Sequence, residues 1–407
     1  MNLPDNRKAI LVVVVAALGY FVDLYDLLLF SVVRKASLLD LGVAEADSLN
    51  IGLNLLNWQL AGMLVGGLLW GVIGDKKGRR AILFGSIILY SVANLLNAAV
   101  QSVEQYRILR FVAGIGLAGE LGAGIALTSE LLSPKKRGYG TMAIASFGTL
   151  GVFLASWLSL NFHWRTCYIV GGVMGLALLA LRFAVLESPM FRDSLRENVA
   201  RGSIIKLFTN GPLLWKYLKC ILVGAPTYFV IGILLTGAPE IGKAMGLKAV
   251  PVAAVALIVF YLTNAVADII CSSLSQWWQS RKKALLVFHG ITLIGILVVL
   301  YVPSENLTSF YAKFAVLGFG LGLWAVMLSN AAEQFGTNFR ATVATSAPNF
   351  IRALLIPITY AHKQMHPQLG IIHASAIMGV LCVAVAIIFV LLSDETFGRE
   401  LDYVERV

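Results

Sequence analysis

Apolar blocks of about twenty residues, separated by short polar stretches, run through the whole sequence. A block of this length crosses roughly 30 Å of hydrocarbon when it is helical. Hydrophobic residues make up 58% of the chain and charged residues only 13%, about half of the charged share of a soluble domain. Too little polar surface therefore remains to cover a globule in water. The sequence predicts an all-α membrane protein.

Twelve membrane-spanning helices are predicted, so both ends of the chain lie on the same side. The longest polar stretch, 187–214, is predicted to be a cytoplasmic central loop. It separates an N-terminal six-helix bundle over 1–186 from a C-terminal bundle with a short tail over 215–407. The predicted spans are 9–33, 51–74, 81–100, 104–131, 139–160, 166–186, 215–237, 251–274, 284–302, 309–334, 341–362 and 369–392.

The distribution of charge predicts the orientation of the helices. The net charge is +10, and basic residues cluster in alternate loops, at 76–80, 135–137 and 281–283. Loops rich in lysine and arginine remain in the cytoplasm. Both termini are then predicted to be cytoplasmic, and we expect the membrane to be a bacterial inner membrane. No soluble domain remains that could read nucleic acid.

No cofactor or metal site is predicted. The five histidines are dispersed, and the cysteines lie inside apolar blocks without C-x-x-C spacing. Gly114, Gly116 and Gly119 match G-x-G-x-x-G, but a dinucleotide site requires a preceding strand in water. Within an apolar span, these glycines are predicted to let helices pack closely.

The two halves repeat their loops. Each half has a basic loop between its second and third predicted helices, and an arginine in the loop after its fourth, at Arg137 and Arg340. An internal repeat of this kind is typical of a transporter whose site lies between two bundles.

Residues 71–80 match the loop motif G-x-x-x-D-[RK]-x-G-[RK]-[RK] in full, and they stand between the second and third of twelve predicted helices. In this the chain resembles the major facilitator superfamily. Glu130-x-x-x-Pro134-x-x-Arg137 resembles the metabolite:proton symporter branch of that superfamily. The resemblance implies two six-helix bundles that give access to a central site from alternate sides. It also implies gating residues at the cytoplasmic helix ends, namely Gly71, Asp75, Gly78, Arg79, Arg80, Glu130 and Arg137; a solvated basic loop is the alternative.

Some features depart from that branch. The first helix reads Asp23-Leu-Tyr-Asp26, which is nearer to the D-G-x-D of aromatic-acid:proton symporters, with Leu24 in place of glycine. Arg352 in the eleventh predicted helix also resembles those relatives.

Ionisable side chains inside the spans are expensive and therefore mark candidate sites. Asp23 and Asp26 share a helix face, and Arg110 lies at a depth that would allow a pair with either. Glu120 has no basic residue one turn away on its own helix. Asp23, Asp26 and Glu120 are the predicted proton-coupling residues, although a static pair of an aspartate with Arg110 is the alternative.

Arg352 cannot lose its proton when it is buried, so it needs a carboxylate. That carboxylate belongs either to a substrate, which a guanidinium binds in bidentate fashion, or to Asp268 or a first-helix aspartate. Asp268 could equally cap a helix or pair with the basic loop. The predicted substrate-binding residues are Arg110, Arg352, Asn349, Tyr25, Tyr228 and Trp324.

These observations predict a proton-coupled symporter that imports a small carboxylate-bearing metabolite. We expect a monomer whose partners are its solute, protons and the lipid bilayer. A proton-driven exporter of a drug or metabolite with the same fold is the alternative. A channel or a membrane-embedded enzyme is disfavoured, because the sequence has neither a pore-type repeat nor a nucleophile–base constellation.

Overall fold

The computed structural model describes residues 6–77, 79–119, 134–186, 204–398 and 405, and within these ranges the regular structure is helical. The first half follows the predicted order, although α1 and α2 extend several residues beyond their apolar blocks. Hydropathy marks the thickness of the hydrocarbon, whereas a helix continues until its backbone is capped. The helices of this half are α1 (Asn6–Asp40), α2 (Glu45–Lys77), α3 (Arg79–Asn97), α4 (Val103–Leu117), α5 (Pro134–Asn161) and α6 (Trp164–Leu186).

The second half contains shorter helices because several of its spans are broken. Two helices begin within the predicted central loop 187–214, at Ile204 and at Gly211, so this end of it is not loop alone. The helices are α7 (Ile204–Thr209), α8 (Gly211–Leu222), α9 (Ala225–Phe229), a π-helical turn (Val230–Leu235), α10 (Ala238–Ala244), α11 (Ala253–Trp277), α12 (Arg281–Tyr301), α13 (Leu307–Gly320), α14 (Trp324–Glu333), α15 (Thr337–Ala353) and α16 (Leu355–Leu392).

The breaks fall where helix-disrupting residues occur. The seventh predicted span bends by 45° between Gly211–Leu222 and Ala225–Leu235, and Pro226 follows the bend at the start of α9. The tenth span is interrupted between α13 and α14, next to Gly322. Proline and glycine are the usual causes of such kinks. The prediction of continuous helices at these two places is wrong.

Six of the described helices are long and apolar enough to cross a membrane, and the bent pair makes a seventh. One of the six, Ser346–Leu392, comprises 47 residues. As a single helix it would extend about 70 Å, more than twice the thickness of the hydrocarbon. Gly370 breaks it, with φ of 70° and ψ of 167°, a conformation that favours glycine. The stretch therefore contains the end of the eleventh predicted span and the whole of the twelfth.

Helix packing within and between the halves determines the position of the site. In the first half α1 packs on α5 and α2 on α4, and in the second half α11 packs on α13. A Cβ at Gly114 would collide with the backbone of Gln59, and one at Gly62 with the backbone of Phe111. Glycine is therefore required for the close α2–α4 contact. The halves meet along α2 with α15 and along α5 with α11.

The basic face is the end at which α1 begins and Arg281 lies. The opposite face is the end that carries Asp40 and Glu240.

Candidate functional site

A cavity of about 590 Å³ lies between the two halves, a volume that suits a small organic ligand. It reaches from Arg352 in α15 to Arg281 and Glu333 at the basic face. Most of its wall comes from the second half. The first half contributes Tyr20, Leu24 and Thr149. The aromatic residues in the wall are Tyr20, Tyr228, Phe260, Tyr261 and Trp324.

Arg352 is the buried charge at the inner end of the cavity. Its side chain is 1% exposed, and its Nη2 lies 3.7 Å from Oδ2 of Asp23, which is 0% exposed. Arg352 Nε donates to the Tyr228 hydroxyl at 3.0 Å, and its Nη1 donates to Asn349 Oδ1 at 3.4 Å. The pair joins α1 of the first half to α15 of the second. The separation is long for a charge-assisted hydrogen bond.

Asn349 connects this arginine to the first half. Its Nδ2 donates to the carbonyl of Ala118, just beyond α4, at 3.2 Å. Its Oδ1 accepts from Arg352. Asn349 is buried and does not itself line the cavity, so it orients Arg352 from behind.

Asp26, Arg110 and Tyr25 lie inside the first half, away from the cavity wall. Arg110 donates to Gln59 Oε1 and to the Tyr168 hydroxyl at 3.5 Å. Asp26 lies close enough to Arg110, Asp23 and the Asn94 amide to interact with them electrostatically. Among the described residues it has no ion pair within 4.0 Å.

Tyr25 is 0% exposed, and its hydroxyl donates to the Cys167 carbonyl in α6 at 2.7 Å. Tyr25 therefore ties α1 to α6, whereas the sequence predicts it as a substrate contact. Tyr228 and Trp324, two other predicted contacts, do line the cavity.

Asp268 caps the broken tenth span. Its Oδ1 accepts from the amide of Ala325 at 3.1 Å, at the N-terminus of α14, where backbone donors lack helical partners. Gly322 makes this approach possible, because a Cβ there would lie 2.6 Å from the Asp268 amide nitrogen. The sequence left Asp268 and a first-helix aspartate open as protein partners of Arg352. The ion pair within 4.0 Å is the one with Asp23 in the first helix.

At the opposite face an ion pair closes the contact between the halves. Arg34 Nη2 lies 2.7 Å and 2.9 Å from the two oxygens of Glu240 and donates to the Thr236 carbonyl at 3.0 Å. Arg34 is 1% exposed, and a Cβ at Gly52 would collide with its side chain. The sequence prediction missed this pair because Arg34 falls one residue beyond the predicted first span. The position of an arginine directly after an apolar block was the sequence signal that could have indicated a buried ion pair.

A second ion-pair cluster lies where the cavity meets the basic face. Arg281 Nη2 donates to Glu333 Oε1 at 3.1 Å, and the Thr396 hydroxyl donates to Glu333 Oε2 at 2.7 Å. The ring of Phe397 lies 5.4 Å from the guanidinium of Arg281. The segment after α16 is thereby fastened to the ends of α12 and α14.

Several predicted residues cannot be placed as side chains. Glu120, Gly78 and Glu130 lie outside the described residues. For the rest of the predicted gating group only the backbone is described, in α2 for Gly71 and Asp75, in α3 for Arg79 and Arg80, and in α5 for Arg137.

Several known proteins are similar to this chain in sequence or in fold. A family model described as Major Facilitator Superfamily matches residues 13–359. The "Probable 4-methylmuconolactone transporter" of Cupriavidus pinatubonensis is 25% identical over 93% of this chain and 89% of its own. The "3-(3-hydroxy-phenyl)propionate transporter" of Escherichia coli is 28% identical over 74% of each chain. The crystal structure of a D-xylose-proton symporter has a TM-score of 0.73, with 19% identity, over 96% of this chain and 99% of that one.

Proposed function

Since the chain belongs to the major facilitator superfamily and is a transporter of small metabolites rather than an enzyme, we propose that it is a proton-coupled symporter for a small organic carboxylate. The observation that carries the proposal is the Asp23–Arg352 pair beside an aromatic-walled cavity. Among its relatives, a transporter of 3-(3-hydroxy-phenyl)propionate handles a ring with a carboxylate, which is the kind of solute that this wall suits.

The pair provides a direct link between proton and solute. While Asp23 is ionised, it competes with an incoming carboxylate for Arg352. Protonation of Asp23 removes that competitor and leaves a buried cation, which the solute carboxylate neutralises. Proton and solute then each favour the binding of the other, which is the requirement for coupled uptake. Of the three predicted coupling acids, Asp23 has this support from contacts, while Asp26 and Glu120 remain candidates.

The test compares two transport modes in proteoliposomes, with a carboxylate identified by thermal-shift screening of aromatic and aliphatic acids. Counterflow requires only binding and exchange, whereas accumulation on a pH gradient also requires coupling. We expect Asp23→Asn to retain counterflow and to lose accumulation. Asp26→Asn and Glu120→Gln are assayed beside it, and Asp47→Asn serves as the control, because Asp47 is exposed.

If Asp23→Asn still accumulates solute on the pH gradient, Asp23 is not the coupling acid, and the variant that does lose accumulation identifies it. Accumulation driven by a sodium gradient and not by a pH gradient would refute proton coupling altogether. Efflux driven by an inward proton gradient would indicate an exporter.

A further inference from the structure

Asp268 is an acid in the cavity wall that the proposed coupling does not use. It lines the same cavity as Arg352 and is only partly buried, unlike Asp23. Tyr20 lies within electrostatic range of both Arg352 and Asp268, so the two charges share one neighbourhood. Among the described residues, Asp268 has no basic partner within 4.0 Å.

The cap contact holds the Asp268 carboxyl group in a fixed position. The carboxylate accepts from the amides of Trp324 and Ala325, at the positive end of the α14 dipole. Its place in the wall is therefore determined by backbone and does not depend on a side-chain partner. A negative charge held in this way acts on whatever enters the cavity.

The two charges lie at different depths. Counted by helix rise from the basic-face ends of α11 and α15, Asp268 lies roughly 9 Å nearer that face than Arg352. A small ring acid is about as long as this offset. When its carboxylate meets Arg352, the far end of the ring faces Asp268 and the polar residues one turn to either side, Asn264 and Ser272.

We propose that Asp268 determines which carboxylates the cavity accepts, favouring a monocarboxylate with a hydrogen-bond donor at its far end and rejecting dicarboxylates. A donor such as a hydroxyl meets a fixed charged acceptor there, which is one of the stronger kinds of hydrogen bond. A second carboxylate meets a like charge in a poorly solvated site. The inference rests on the proposed function, because it requires the first carboxylate to lie at Arg352.

Three probes that differ only at the para position test this inference: benzoate, 4-hydroxybenzoate and terephthalate. Affinities are measured by isothermal titration of the purified full-length protein. For the wild type we expect 4-hydroxybenzoate to bind tightest and terephthalate weakest. Asp268→Asn keeps an oxygen that can accept from α14 and removes the charge. In this variant we expect terephthalate affinity relative to benzoate to rise about ten-fold or more, and the preference for 4-hydroxybenzoate to shrink by a similar factor.

Controls separate this role from a structural one. Asp268→Ser keeps a small, uncharged oxygen acceptor at this position of α11, so it repeats the test if the asparagine variant does not fold. Asp47→Asn removes a negative charge outside the cavity and should leave the three relative affinities unchanged. Arg352→Gln should weaken all three probes together.

Relative affinities in Asp268→Asn within two-fold of the wild type would overturn the inference, since a purely structural cap would not change them. Failure of the wild-type protein to bind any of the three probes would overturn the inference alone, because the proposed function also allows aliphatic carboxylates. Equal binding of the probes by the wild type and by Arg352→Gln would refute the proposed carboxylate site, and the inference with it.

Discussion

Glu240→Gln should destabilise the contact that closes the opposite face. The substitution leaves Arg34, which is 1% exposed, without its counter-ion, and an arginine cannot shed its proton in response. Removing one partner of a buried ion pair costs about 3–5 kcal/mol. Glu240 is 22% exposed and the Thr236 carbonyl remains as an acceptor, so we take the lower value. About 3 kcal/mol corresponds to a shift of roughly 100-fold toward states in which this face is open.

The assay measures how often the opposite face opens. Leu49 is 7% exposed and lies 3.7 Å from the position of a Cβ on Gly237, the residue after Thr236, whose carbonyl accepts from Arg34. Leu49→Cys therefore reacts with a maleimide only when the contact separates. The four native cysteines are buried and give little background. We expect the labelling rate of Leu49→Cys to rise by up to about 100-fold when Glu240→Gln is added.

Two controls decide whether charge is the cause. Replacing both partners of a buried pair by apolar residues is often nearly neutral, so Arg34→Met with Glu240→Met should return the labelling rate toward that of the parent. Glu305→Gln, at an exposed acid on the same face, should leave it unchanged. A labelling rate for Glu240→Gln within two-fold of the parent, or a double variant as fast as the single one, would refute the reasoning.

Three further predictions concern other parts of the chain. Arg352→Lys keeps the charge but loses the planar fork, so carboxylate affinity measured by titration should fall at least about ten-fold while the melting temperature changes little; unchanged affinity would assign Arg352 to structure. Asp75→Asn should impair uptake in proteoliposomes and leave solute binding intact, because Asp75 lies near the basic-face end of α2; loss of binding would contradict this. Burial raises the pKa of the Glu395 carboxyl, but hydrogen bonds from Ser280 and three backbone amides outweigh it and hold the pKa below its usual 4.5. Stability from a lowered pKa is present above the unfolded value and is lost as the pH falls through the folded one. Glu395→Gln should therefore lower the melting temperature at pH 7, and this deficit should vanish in acid; a deficit independent of pH would show that Glu395 acts otherwise.

The sequence predicted the twelve-helix fold because membrane spans are determined by composition over long windows. The same windows are insensitive to interruptions. Gly224 and Pro226 lie at the bend where α9 begins, and Gly320 and Gly322 lie at the break before α14, yet the apolar character continues through both. Hydropathy therefore predicted two continuous helices where backbone geometry gives breaks. The second of these breaks creates the helix N-terminus that Asp268 caps.

Residue type predicted which groups need partners, but not which partners they find. Arg352 required a carboxylate, and the structure supplies Asp23, one of the open alternatives. The depth of Arg110 allowed a pair with a first-helix aspartate, yet its Nη2 and Nη1 donate to Gln59 and Tyr168. Tyr25 shares a helix with Tyr20, but only Tyr20 lines the cavity. Helix rise gives depth, whereas the direction of a side chain depends on how each helix is rotated against its neighbours.

Helix α1 contributes one charge to each of two ion pairs that join the halves, Asp23 with Arg352 and Arg34 with Glu240. The two α1 residues are separated by about three helical turns, or roughly 16 Å, so they project from similar sides of one continuous helix. A rotation that separates α1 from the second half at the opposite face therefore strains both pairs together. Separating Asp23 from Arg352 would break an ion pair between two buried charges, which is costly. A proton on Asp23 and a carboxylate on Arg352 remove that cost at the same time. On the proposed function, the carrier with both ligands can therefore open the opposite face more easily than the carrier with only one, which is the asymmetry that prevents a leak of protons or solute alone.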